Sequence, residues 1–222
     1  MLDSAASRNT PLALAVIPAD AEPALNERVA GLPGLAILQH GYAHQNHAPA
    51  TEKKQELGPH RPYPSAVGEL ATGQARLERL FGSRFHPILV PPWNRIAPAL
   101  VPMLPEFGCR GLSLYQPRAR AEAAPGLIQA NTHIDIVDWA GGRRFVGESA
   151  ALGMAIGHLS ARRAGHADAL EPTGLLTHHL VHDGACQAFL DRFLAAVSAH
   201  PAAEWLGVEA VFAPAPRRVG AA

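Results

Sequence analysis

The chain has 222 residues, with 19 basic and 19 acidic side chains and a net charge of zero. Apolar residues make up 48% and charged residues 17%, which supplies a sizeable core and excludes both a disordered chain and a general electrostatic drive toward nucleic acid or anionic lipid. Two distant cysteines, Cys109 and Cys186, exclude a disulfide framework or a cysteine zinc site, and no apolar run approaches the ~20 residues of a membrane span.

In chain order, residues 1–11 read as a polar, flexible lead-in. The apolar run 12–18 (LALAVIP) is too short for a secretory leader and reads as a buried strand, so the chain as given is expected to be cytoplasmic. Further strands are predicted at 35–39, 87–90, 111–115, 132–137, 174–178 and 208–212. Several are continuously apolar, as strands buried on both faces of a parallel sheet are. A helix is predicted over 65–81, with Gly82 as its stop. A second is predicted over 184–198, capped by Asp183. Alternating strands and helices with no internal repeat give one α/β domain over 1–222, ending in a flexible tail at 213–222. Twenty prolines, about 9% of the chain against a usual ~5%, imply stiff, ordered connections.

In parallel α/β architectures the chemistry gathers at the C-terminal ends of the strands. Four predicted strand ends carry unusual residues: His40, the run Pro91-Pro92-Trp93-Asn94, the pair Asp138-Trp139, and His178-His179. Six of the twelve histidines fall in two clusters, His40/His44/His47 and His178/His179/His182. Residues four apart share a face on a helix, so His40 and His44 can grip one divalent cation. Two exposed or capping histidines would show the same spacing. On such a helix His47 lies about 10.5 Å along the axis from His40, too far to join the same ion. Gly41 lets the backbone turn sharply out of the strand. Asp135 and Asp138 place two carboxylates beside Trp139, where one can orient a histidine. His133 shares a strand side with Asp135, although a satisfied buried histidine explains it equally. A histidine at 178, 179 or 182 suits general acid work, because its ordinary pKa lies near neutrality.

Read in order, these segments resemble the polysaccharide deacetylase family of metal-dependent carbohydrate esterases. HGYAH at 40–44 resembles the family's H-[S/T]-x-x-H motif, with Gly41 in the Ser/Thr place and the metal-binding histidines falling on His40 and His44. VPPWN at 90–94 resembles the motif of an Arg followed by a Pro and an aromatic; the Arg is replaced, and Arg95 stands nearby. DIVDW at 135–139 matches D-x-x-D-W, and LLTH at 175–178 matches the Leu-x-x-His of the last functional strand. The resemblance spans about residues 12–212. The family's opening pair of aspartates, a metal ligand and the general base, has no counterpart before Leu12.

The resemblance implies a distorted (β/α) barrel missing its first strand and a divalent ion, Zn by the family's habit, on His40 and His44. His178 would be the proton donor with Asp138 orienting it. Pro92, Trp93, Asn94, Arg95, Trp139 and His179 would line the site of an acetylated carbohydrate or related small substrate. The alternative is a remnant that binds carbohydrate or metal without turnover. With one strand missing, the exposed sheet edge is expected to favour self-association.

Overall fold

The computed structural model describes residues 2–214. The chain runs α1 (Leu2–Ser7), β1 (Leu12–Val16), α2 (Pro23–Val29), β2 (Leu35–Gln39), α3 (Tyr63–Phe81), β3 (Phe85–Leu89), β4 (Gly111–Leu112), β5 (Glu122–Ala124) and β6 (Leu127–Gln129). It continues through β7 (Ile134–Asp135), β8 (Val137–Asp138), β9 (Arg144–Phe145), α4 (Glu148–Ala164), β10 (Leu175–Leu176), α5 (Gly184–Ala199) and α6 (Val208–Val211).

The main sheet has the order β1-β2-β3-β4-β6-β5, parallel except for the β5–β6 hairpin. Past β6 the strand bends and carries the parallel run onward: Thr132 bridges Tyr115, and β7 pairs with β10. A curved parallel sheet therefore extends from β1 to β10. Among the described residues no strand pairing joins β10 back to β1, so the sheet is open there. α1 packs against α5 next to that opening, through the Gln187–Ser4 hydrogen bond and the Arg8–Asp191 ion pair. The lead-in expected to be flexible thus contains a docked helix.

β2 (LAILQ) is buried at every position, as a strand covered on both faces must be. α3 covers it with Leu70, Leu77 and Phe81, and stops at Gly82 as the sequence indicates. Gln39 fixes the junction: its Nε2 donates to the Leu70 carbonyl at 2.9 Å and the Gly41 carbonyl at 3.0 Å. A second cluster packs Ile134, Ile136 and Val137 against Ala151, Ala155 and Phe189 of α4 and α5. Asp183 caps α5 by accepting from the Cys186 N–H at 2.7 Å.

Two expectations are corrected. The segment 132–137 is no single strand; it breaks at Ile136 into β7 and β8, and β8 turns back on β9 as a hairpin. The segment 208–212 is α6. Its apolar residues Val208, Val211 and Phe212 follow helical rather than alternating spacing, and the Phe212 ring rests against Gly111 of β4, where a Cβ would stand 2.7 Å from it. The part of the expected tail beyond residue 214 lies outside the described residues.

Candidate functional site

β2 ends at Gln39, and the chain leaves it as a clamped loop rather than the expected helix turn. Gly41 takes φ +59° and His44 φ +53°. The buried Glu56 carboxylate accepts the Ala43 N–H at 2.7 Å and the Tyr42 N–H at 3.2 Å. A Cβ on Gly41 would lie 1.9 Å from Glu56 Oε2 and 2.6 Å from Pro92 Cγ, so a side chain is excluded there twice over. This tight loop, instead of helical periodicity, brings the His40 and His44 rings to 5.1 Å between centroids.

The tautomer of His40 follows from its neighbour. Nδ1 lies 2.8 Å from the Val90 carbonyl, which only accepts, so Nδ1 carries the proton and the Nε2 lone pair is left free. Burial, reinforced by the nearby His44 and His178, lowers the His40 pKa to about 4 against the opposing Val90 hydrogen bond. The ring is therefore neutral at neutral pH. A neutral imidazole anchored through one nitrogen to a carbonyl, with the other free, is the form a metal ligand takes. An ion ~2.0 Å from each nitrogen stands ~3.2 Å from each ring centre, which the 5.1 Å centroid separation accommodates.

Trp93 leans on His44 with 4.3 Å between ring centroids. It sits in the left-handed region at φ +55°, as does Asn94, within the turn after β3. Pro92 is buried against Gly41. Arg95 points back to the loop after β2, donating to the Lys54 carbonyl at 2.9 Å. His47 likewise stays within that loop, its Nε2 2.8 Å from Arg61.

At the ends of β7 and β10, His178 Nε2 lies 3.2 Å from Asp135 Oδ2. The same oxygen accepts the Trp139 indole N–H at 2.9 Å, and Trp139 meets His178 edge-on at 4.7 Å. Burial alone would raise the Asp135 pKa; hydrogen bonds from His178, Trp139 and the Val137 N–H outweigh it and hold the carboxyl below its ordinary value. The carboxylate that positions His178 is thus Asp135, not the expected Asp138. Asp138 turns into its own hairpin, accepting the Gly141 N–H at 2.7 Å and the Ala140 N–H at 3.1 Å. Of the other two histidines, His182 accepts the His178 backbone N–H at 2.9 Å and His179 is exposed.

A second cluster escaped the sequence reading almost entirely. His133, His158 of α4 and Glu171 are buried, and among the described residues they form the set of three that could hold a metal ion, with ligand atoms within 4.8 Å of one another. Glu171 accepts the Asn131 and Arg118 N–H groups at 2.9 Å each, and His133 Nε2 lies 3.3 Å from it. Two features set this cluster apart from the rim pair. The His133 and His158 rings stack 3.4 Å apart at 14°, so an ion in the plane of one lies well off the plane of the other. Moreover, the Gly174 N–H donates to His133 Nδ1 at 3.1 Å, which leaves the proton on Nε2, facing Glu171. As placed, His133 turns its protonated nitrogen toward Glu171, while His158 pairs through Nδ1 with Thr173 Oγ1 at 2.9 Å and leaves its buried Nε2 4.0 Å from Glu171, beyond hydrogen-bond reach; metal uptake at His133 requires its ring to turn. Only His133 carried any signal beforehand; His158 and Glu171 come from a helix and a loop that no pattern links to it.

No family model matches the sequence. No curated protein matches it either. The fold is a mixed α/β fold similar to that of a polysaccharide deacetylase. Over 95% of this chain and 73% of the other, it superposes on the crystal structure of a "putative polysaccharide deacetylase" from Mycobacterium smegmatis, with a TM-score of 0.64 and 18% identity. No described helix is long and apolar enough to cross a membrane.

Proposed function

We propose that the protein is a metal-dependent hydrolase that removes acetyl groups from a carbohydrate or a related amide or ester. The observation that carries this reading is the free Nε2 of neutral His40 beside His44, on the same rim as the Asp135–His178 pair. His40 and His44 would hold the ion, zinc being the expected one. A bound divalent cation of this kind supplies a water of lowered pKa and polarises the acetyl carbonyl.

The remaining chemistry belongs to the chain's own residues. His178 delivers a proton through its ring to the leaving amine or alkoxide. Asp135 sets the orientation of that ring and stabilises its charged form. Trp93 and Trp139 flank the two halves of the site and offer flat apolar faces to a sugar or acetyl group. The fold likeness supports a carbohydrate substrate.

A second reading, binding without turnover, is favoured by one observation: among the described residues no third ligating side chain joins His40 and His44. One experiment separates the two. Metal-free protein is titrated with Zn²⁺ by calorimetry and then assayed on p-nitrophenyl acetate and on an N-acetylated amino-sugar oligomer. Deacetylation lost in both His40→Ala and His178→Ala supports the hydrolase. Binding that needs His40 and His44 but gives no product supports the second reading. Zinc binding unchanged in His40→Ala and His44→Ala overturns both.

A further inference from the structure

The buried side of α4 is accounted for by Ala151, Ala155 and His158, but its other side carries Leu152, Ile156 and Leu159 exposed. Ile156 is 61% and Leu159 52% accessible, large values for aliphatic side chains in mid-helix. The positions follow i, i+4, i+7, one continuous stripe. Beside the stripe runs a shallow groove. Gly153 and Gly157 are exposed, and a Cβ on either would meet nothing within 4 Å. The stripe ends in opposite charges, exposed Glu148 in the first turn and exposed Arg163 in the last.

We propose that this face pairs with α4 of a second copy of the chain, antiparallel about a two-fold axis near Ile156. The charge pattern selects that occupant and that direction. Antiparallel register about the axis sets Leu152 against the partner copy's equivalent of Leu159, and Glu148 against the equivalent of Arg163, twice by symmetry. A parallel pairing would oppose like charges at both ends. The glycine groove lets the two backbones approach closely, and Ile156 of each copy fills the groove of the other. Glu148 also pairs with Arg192 at 2.7 Å, but both groups remain more than half exposed and open to a further partner. The face is a helix surface, so this association is distinct from pairing at a strand edge.

Sedimentation equilibrium over about 1–200 µM tests the pairing, with circular dichroism confirming that each variant is folded. The wild type is expected to dimerise. Ile156→Asp brings two like charges together on the axis and should weaken the dimer by at least ~100-fold. Glu148→Arg should weaken it by about tenfold, and Glu148→Arg combined with Arg163→Glu should restore it, a rescue that only the antiparallel register gives. A wild type that stays monomeric to 200 µM overturns the proposal, as does a dimer indifferent to Ile156→Asp. Monomer that binds vesicles or a different protein through this stripe assigns the face to another occupant and overturns it equally.

Discussion

Replacing Gly41 by Ala tests how the rim is built. The substitution adds one methyl group at a residue whose φ of +59° costs an L side chain about 1–2 kcal/mol. Its Cβ would stand 1.9 Å from Glu56 Oε2 and 2.6 Å from Pro92 Cγ. The proline ring cannot swing aside, so the Glu56 carboxylate must withdraw and leave the Tyr42 and Ala43 N–H groups without their acceptor. Each stranded donor costs about 1–3 kcal/mol when water cannot reach it. The expected total is about 3–8 kcal/mol, or roughly 6–32 °C in melting temperature for a chain of this size. Urea unfolding followed by circular dichroism reads the loss directly. In a Glu56→Ala background the N–H groups are already stranded, so Gly41→Ala should then cost only the backbone term of about 1–2 kcal/mol and the contact with Pro92, less than it costs the wild type. A Gly41→Ala protein within about 1 kcal/mol of wild type, or equal costs in the two backgrounds, would refute the clamp.

Three further outcomes follow from the geometry. Asp135→Asn should lower kcat about 10–100-fold with KM little changed and shift the indole N–H resonance of Trp139, whereas Asp138→Asn, which keeps the turn acceptor, should do neither. Glu171→Ala should destabilise by about 3–5 kcal/mol in urea titrations, since it strands buried partners on three sides; in a His40→Ala/His44→Ala background, which removes the rim ion, EDTA should leave the midpoint unchanged, and a midpoint that is EDTA-sensitive there but insensitive once Glu171→Ala is added would place an ion in that cluster. Stability should fall on acidification from pH 6.5 toward 4, with a shallower slope in His158→Gln: burial, with His133 beside it, lowers the folded pKa of His158 to about 4, so in that window the unfolded chain takes up the proton first.

The parts of the fold written in local pattern were legible. Continuous apolar runs announced β1 and β2, helical spacing with a glycine stop announced α3, and an Asp ahead of an amphipathic run announced the cap of α5. The failures occurred where one pattern fits two structures. Val208, Val211 and Phe212 form a short apolar run that reads as a strand until their spacing of three and four is weighed. α4 is illegible because its buried face is built from alanines and a histidine while its leucines and isoleucine face outward, so its apolar stripe is no guide to the core. The glutamates Glu56 and Glu171 were illegible for a different reason. Each is recruited by backbone N–H groups from segments 13 to 53 positions away, and no local signal marks a carboxylate that will be buried that way.

The two aspartates of DIVDW show how the same limit acts inside a motif. Sequence supplied both carboxylates and the histidine, but choosing between them needed the path of the backbone after Asp135. A straight strand would leave the choice to alternation alone. Instead β7 ends at Asp135 and pairs with β10, which delivers His178 to the same rim, while β8 carries Asp138 into a hairpin with β9. Asp138 is then within reach of the N–H groups of its own turn, a common use of an aspartate there. Asp135 keeps one oxygen on the Val137 N–H and turns the other toward His178 and Trp139. Two parallel strands meeting at one register thus decide which carboxylate is tied to the turn and which is free to hold an imidazole. The same logic separates the histidines: a carbonyl opposite Nδ1 frees His40 to bind a cation, and an amide N–H opposite Nδ1 commits His133 to its glutamate. The difference between a candidate ligand and a structural histidine lies in the polarity of one backbone group beyond the ring.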